Sequence, residues 1–221
     1  MDCQEVDRDT KAAGDWDRKQ LQTRGGYYDF FERIHFLSKW GQISKQSLAL
    51  SVGSGTGHHE QVVGCERLFC LDISRERLNI AKDKGLICVQ GTALQLPFPD
   101  DVFDCVFGID LTTIHYTQDM RTITVNEMVR VSKKGGRIIV ISRNELQNKV
   151  INLILHQNAD YDPYRVKQSD IKKTFMDSQV YIERSINIGY PYIHSKYLDK
   201  VLAKLRLDIL GHWSIICGVK R

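Results

Sequence analysis

The chain has 221 residues, of which 42% are hydrophobic and 26% charged, and carries a formal net charge of +4. Those values suit one soluble globular domain with ordinary terminal additions, and the mild charge permits an anionic partner without demanding one. No apolar run approaches a membrane span and the polar stretch after Met1 carries no secretory signal, so a cytoplasmic protein is expected.

Residues 1–24 are polar. From Tyr27 the spacing turns helical, with Tyr27, Phe30, Phe31, Ile34, Leu37 and Trp40 on roughly one face. This segment reads either as a helix packed on the domain or as an aromatic lid over a ligand pocket, and residues 1–44 are set apart as an N-terminal helical extension from a domain over 45–221. Leu48 to Val52 is a short apolar run that ends in Gly53, Gly55 and Gly57, and His58 to Val63 read as the first turns of a helix. A strand, a glycine turn and a helix start together make a site for a nucleotide-like cofactor.

Leu68 to Asp72 is the second strand, and Arg75 to Lys84 a helix with Ser74 as its cap and Gly85 as its stop. Leu86 to Gln90 is the third strand. Gly91 to Asp101 is a loop pinned by Pro97 and Pro99, and Phe103 to Gly108 the fourth strand. After the loop Ile109–Thr117 a helix runs to about Lys134, and Gly135-Gly136 breaks it before a fifth strand, Arg137 to Ser142. Strands alternating with helices predict a doubly wound parallel sheet. Further on, 154–164 and Ser169–Asp177 read as helices, with Ser169 as a cap and Asp170 in the first turn. Val180–Ile186 and His212–Val219 read as strands that pair antiparallel at one edge. Between them lies an amphipathic helix with Tyr197, Leu198, Val201, Leu202 and Leu205 on its apolar face.

The glycine pattern narrows the ligand. A dinucleotide fingerprint needs a small residue after Gly57, where His58 stands, and no Gly-Lys-Ser/Thr follows to make a phosphate loop. What is left is G-x-G-x-G, open enough for the carboxypropyl end of adenosylmethionine, although such a turn also closes ordinary strands. Asp72 follows Gly53 by 19 positions, where a carboxylate is needed for a ribose diol, or where it could simply cap the next helix. The six cysteines show no C-x-x-C pair and no zinc-like histidine spacing, so no metal site is expected; Cys88, Cys105 and Cys217 lie in apolar runs as small hydrophobes.

Taken in order, Val52 to Gly57, Asp72, Gly91-Thr92-Ala93 with Leu96 to Asp100, Phe103-Asp104, Ile114-His115-Tyr116 and Glu127 to Arg137 resemble the class I S-adenosylmethionine-dependent methyltransferases. The group most similar includes the ubiquinone/menaquinone-type C-methyltransferases and many small-molecule O- and N-methyltransferases. The resemblance covers about 45–142. It implies a Rossmann-like α/β fold with seven strands, mostly parallel with an antiparallel edge strand, and a cofactor site at Gly53, Ser54, Gly55, Gly57, Asp72, Ile73, Thr92, Ala93, Leu94 and Ile109. The cofactor implied is S-adenosylmethionine, leaving as S-adenosylhomocysteine. Two departures stand out: Ser51 where the family has an acid that orients the glycine loop or meets the cofactor's amino end, and Thr92 where it has Asp.

Methyl transfer from a sulfonium is an in-line displacement in which alignment contributes up to about 7–11 kcal/mol. A base is required only for a protonated nucleophile. His115, on the loop after the fourth strand, is the first candidate, or else a structural histidine; Asp110 is the second, as base or as contact for the cofactor's ammonium. His58 and His59 face solvent or the cofactor carboxylate, with at least one neutral, and Tyr192 and His194 are placed at the acceptor pocket by analogy. The expected reaction is methylation of an O or N atom of a small molecule. Lys196, Lys200 and Lys204 form a stripe that is either a solvated face or a surface for RNA or anionic lipid, which keeps a tRNA methyltransferase open. Ser51 and Thr92 keep open a non-catalytic cofactor-binding protein of the same fold.

Overall fold

The computed structural model describes residues 24–111, 117–145, 166–189 and 211–221, with side chains from Asp29 onward. Seven strands form one sheet in the order β3-β2-β1-β4-β5-β7-β6. They are β1 (Leu48–Val52), β2 (Arg67–Asp72), β3 (Ile87–Gln90), β4 (Phe103–Ile109), β5 (Ser132–Arg143), β6 (Val180–Ile188) and β7 (Trp213–Lys220). The five strands β1 to β5 pair in parallel, while β7 runs antiparallel to both of its neighbours. The antiparallel strand is thus one place in from the edge, and β6 closes the sheet outside it.

Among the described residues four helices flank the sheet: α1 (Arg24–Gly41), α2 (Arg75–Asp83), α3 (Gln118–Val131) and α4 (Gln168–Asp177). On one face α1 lays Phe30, Ile34, Leu37 and Trp40 on Ala49, Phe107, Ile139 and Ile215. On the other, Val125 and Met128 of α3 and Ile171 and Phe175 of α4 pack on Val106, Ile138 and Ile216. The alternation of apolar residues along each strand feeds both layers, as a sheet covered on both faces requires. Phe31, expected on the apolar face of α1, is 41% exposed, whereas Arg33 is fully buried with its guanidinium 3.8 Å from the centre of the Trp213 ring. That stacking lets a planar cation occupy a position which spacing assigns to the outside.

Three expectations are corrected. The glycine turn is not followed by an α-helix: only a 3-10 turn, Glu60–Val62, forms before Gly64 (φ +74°) turns the chain toward β2. Just 14 residues separate β1 from β2, and Val62, Val63 and Gly64 are poor helix formers. Helix α3 ends at Val131 rather than near Lys134, and β5 starts at once, with Phe103 opposite Ser132 and an irregularity before Cys105 meets Arg137. Gly135 has φ +74°, and a Cβ on Gly136 would lie 2.7 Å from the Lys133 carbonyl, so the glycine pair bends the strand instead of ending the helix. Finally, α4 starts after Lys167, without a side-chain cap, so Ser169 lies inside it; Asp170 is in its first turn as expected. Expectations for 112–116, 154–164 and 190–210, including the lysine stripe, lie outside the described residues. Among the described residues no helix is long and apolar enough to cross a membrane.

Candidate active site

At the carboxyl end of β1 the chain turns through Gly53, Gly55 and Gly57 with φ of +72°, +55° and +69°. Each glycine has its own reason. A Cβ on Gly53 would lie 2.7 Å from Leu111 Cδ1, and one on Gly57 would overlap Leu86 and press on Ala81, so these two allow close packing of the β4 loop and of α2. A Cβ on Gly55 would find only Arg77 Cδ, at 4.0 Å. The open side of the loop is therefore at Gly55, where bare backbone faces space a ligand can enter. The Gly53 and Ser54 amides both donate to the Leu71 carbonyl (2.7 and 3.0 Å), which ties the loop to β2.

Asp72 ends β2 and is the second anchor. Its Oδ2 accepts the Gly55 amide at 2.8 Å and its Oδ1 the Ser74 amide at 2.9 Å. Ser74 Oγ caps α2 by accepting the Arg77 amide at 3.2 Å, so Asp72 is spared that task, as expected. Asp72 is only 7% exposed, while the next residue, Ile73, is 69% exposed at the mouth of the site. A buried carboxylate with two backbone donors is rigidly held, and each of its oxygens keeps a further lone pair. Thr92 Oγ1 accepts the Leu94 amide at 3.2 Å, so its hydroxyl closes the turn that carries buried Ala93. Gly91, in turn, donates to the Asp72 carbonyl at 3.0 Å, which sets that turn beside the acid.

A buried acid from another segment meets position 51. Ser51 Oγ donates to Glu60 Oε1 at 2.6 Å, with both residues buried (1% and 4% exposed). The 3-10 turn thus returns a carboxylate to the end of β1. Sequence spacing missed it because the expected helix would point position 60 elsewhere; a glutamate shortly before Val62 and Val63 was the available signal.

Next to it, His59 stacks on Phe30 of α1 (centroids 4.9 Å apart, 27° between planes), and His58 lies 4.7 Å from the same ring. Burial, and then the Arg33, His58 and Lys84 charges, push the His59 pKa well below the usual imidazole range, so this ring is neutral. Asp110 has φ +58° after Ile109, its amide donates to the Ile141 carbonyl at 2.8 Å, and its Oδ1 lies 3.6 Å from Arg143 Nε. His115, Tyr192 and His194 lie outside the described residues.

A second network holds the loop below the site. Arg130 donates to the Leu96 and Phe98 carbonyls, to Asp100 and twice to Glu127, whose Oε2 also accepts the Leu96 amide at 2.7 Å. Hydrogen bonds from Arg130 keep the Glu127 carboxyl below its ordinary range. The i, i+3 pair thus clamps the Leu-Pro-Phe-Pro-Asp loop to α3. The five described cysteines are free thiols, and burial pushes all five thiol pKa values up, so none is poised as a nucleophile.

With this geometry in view, comparison with known proteins gives a consistent result. A family described as "Methyltransferase domain" matches residues 50–140. The uncharacterized methyltransferase YcgJ of Bacillus subtilis is 28% identical over 152 residues, covering 64% of this chain and 59% of that protein. A ubiquinone/menaquinone biosynthesis C-methyltransferase of Marinomonas is 29% identical over 149 residues, covering 60% and 56%. The chain thus spans less than three fifths of the length of these curated relatives. Among solved structures, a SAM-dependent methyltransferase of Thermotoga maritima, described as a possible histamine N-methyltransferase, superposes with TM-score 0.67 at 17% identity, over 96% of this chain and 97% of that one. Magnesium protoporphyrin IX methyltransferase of Synechocystis, solved with SAH, superposes with TM-score 0.66 at 17% identity, over 92% and 86%. Residues 50–140 therefore match a methyltransferase domain, and the seven-stranded sheet around them shares its fold with these solved methyltransferases.

Proposed function

We propose that the chain transfers a methyl group from S-adenosylmethionine to an O or N atom of a small-molecule acceptor by in-line displacement. The observation that carries this reading is the Gly55–Asp72 hydrogen bond: a loop open at Gly55, locked to a buried carboxylate at the end of the neighbouring strand. The residues present fit the cofactor. Asp72 offers spare lone pairs to a ribose diol, Ile73, Ala93 and Leu94 an apolar edge for adenine, and Thr92 a hydroxyl acceptor. Gly53, Ser54, Gly55, Gly57 and Ile109 would border the methionine portion, and Glu60 supplies the anionic charge its ammonium needs. The cofactor supplies an activated methyl on a good leaving group. The chain's own share is alignment and exclusion of water, with α1 over the His58–His59 end of the loop acting as the cover that residues 1–44 provide. His115 and Asp110 are the candidates to take a proton from the nucleophile.

A carbon acceptor is the second reading, favoured by relatives named as C-methyltransferases and by a structural neighbour that is a geranyl diphosphate C-methyltransferase. Calorimetry with S-adenosylhomocysteine on the whole chain tests the shared part of both. Saturable binding supports them, and absence of binding favours a non-catalytic protein of this fold. A labelled-methyl screen over metabolite pools and total RNA then separates O-, N- and C-acceptors, and transfer to RNA would replace the small-molecule reading with the tRNA one.

A further inference from the structure

Among the described residues four non-glycines have positive φ: Gln42, Asp101, Asp110 and Gln179. Gln42 and Gln179 stand in the turns that follow α1 and α4, and Asp101 in the turn before β4. Asp110, with φ +58°, instead follows β4 at its carboxyl end, the edge at which an open α/β sheet binds its ligands. Side chains other than glycine seldom adopt that conformation, and strain of this kind gathers at functional sites. The turn delivers Leu111 between two glycines. A Cβ on Gly53 would lie 2.7 Å from Leu111 Cδ1, and one on Gly108 would lie 3.0 Å from Leu111 Cδ2 and 3.1 Å from its Cβ. Gly108 is not at positive φ, so the demand for glycine there is one of space. Its strand β4 and the strand before Gly53, β1, are neighbours; β2 and β3 lie beyond β1, and β5 beyond β4. Half-buried Leu111 thus stands at the topological switch point of the sheet.

We propose that Leu111 is a positioning residue of the methyl-transfer site, wedged between Gly53 and Gly108 so that the glycine loop stands where the homocysteine end of the cofactor needs it. This rests on the function proposed above. The Gly53 and Ser54 amides tie the glycine loop to Leu71 of β2, and the Asp110 amide ties the turn after β4 to Ile141 of β5. Leu111 is a side chain that joins these two turns across β1 and β4. Protein interiors are close-packed, so a side chain gripped by two bare backbones leaves them little room to shift. A shift at Gly53 passes directly to Gly55, two residues on, where the loop is open to a ligand. The adenosine portion meets Asp72 and the turn at Ala93, on the β2 side. Leu111 therefore acts on the homocysteine end and spares the adenosine end.

The test is a mutant cycle on the full chain, read by calorimetry with S-adenosylhomocysteine and with adenosine, which lacks the homocysteine portion. Gly108→Val adds three carbons to the slot and Leu111→Ala removes three, so the pair conserves volume. Each single variant is expected to weaken S-adenosylhomocysteine binding about tenfold, and the double variant to return to within about threefold of wild type, while adenosine stays within about twofold throughout. Urea unfolding of every variant runs alongside. A residue that only packs the core would lower stability and leave the affinity of the folded chain alone, and that result overturns the proposal. So do additive losses in the double variant, or equal weakening of adenosine. Should Gly108→Val fail to fold, Gly108→Ala, whose Cβ would press on Leu111 Cδ2, takes its place in the same cycle, with an expected loss of about threefold. A wild-type chain that does not bind S-adenosylhomocysteine removes the methyl-transfer reading and this proposal together. Wild-type binding without coupling between positions 108 and 111 removes the proposal alone.

Discussion

Replacing Asp72 with Ala removes a carboxylate that does two things at once. Its oxygens accept the Gly55 and Ser74 amides at 2.8 and 2.9 Å, and the residue is 7% exposed. A hydrogen bond to a charged group is worth roughly 1.5–3 kcal/mol, so the two set an upper bound of about 3–6 kcal/mol. The Ser74 amide borders solvent at the start of α2 and can recover water. The expected loss of stability is therefore about 2–4 kcal/mol, far more than an exposed strand-end carboxylate would give. S-adenosylhomocysteine affinity should fall as well, by about 10- to 150-fold, because the Gly55 loop loses its tether and the ribose its acceptor. Asp72→Asn keeps one acceptor oxygen but turns a donor toward the other amide, so it should lose stability too, with a smaller cost than Ala. Urea unfolding followed by circular dichroism gives the first quantity and calorimetry the second. An Asp72→Ala protein whose unfolding free energy stays within 0.5 kcal/mol of wild type, at unchanged m-value, would show that water serves both amides and that the carboxylate is no anchor.

Glu60→Gln keeps the bond from Ser51 but removes the charge, so S-adenosylhomocysteine should bind at least about 10-fold more weakly while 5′-methylthioadenosine, which lacks the amino-acid end, binds as before. Equal weakening of both would reduce Glu60 to shaping the loop. His59 titrates well below 6.5 in the folded chain, so the unfolded state binds its proton first. Stability is then whole above about pH 6.5 and lost as pH falls toward the folded value, by at most about 1.4 kcal/mol per unit. In His59→Gln the slope of unfolding free energy between pH 7 and 5 should be shallower, and an unaltered slope would refute the assignment. Arg130→Ala strips five donors from the 96–100 loop and from Glu127, with an expected cost of about 2 kcal/mol after allowing for its partial exposure. Glu127→Ala should cost less when added to Arg130→Ala than alone, and additive losses in a double-mutant cycle would contradict a shared clamp.

The strands were legible because each is a short apolar run bounded by turn residues, from Leu48–Val52 to Phe103–Ile109. Ser74 and Thr117 mark helix starts by chemistry that acts over three residues, so Ser74 was readable as a cap. What spacing could not give was contact between segments far apart in the chain. Arg33 is charged and sits mid-helix, so local rules put it in solvent; Trp213, 180 residues later, is what buries it. The Arg130 clamp reaches back 30–34 residues to a loop whose two prolines announced rigidity but not its anchor. The order β5-β7-β6 also needs the last strand to insert beside β5, which no local signal dictates.

Position 51 shows how such tertiary contact alters a functional reading. With serine where an acid is expected, the sequence alone admits a site that has lost its charge and hence a protein that no longer handles the cofactor. The 2.6 Å bond from Ser51 to buried Glu60 sets a carboxyl group beside that position by a different route. The route depends on the missing helix: a full helix after Gly57 would carry residue 60 around its axis, whereas the single 3-10 turn returns it against β1. Ser51 and the turn that carries Glu60 thus form one arrangement. Changing only one of them, as in Ser51→Asp, would set two carboxylates side by side in a buried site. One of the pair would have to stay protonated or the turn would have to open, so Ser51→Asp should destabilise the chain while Ser51→Asp with Glu60→Ser should not.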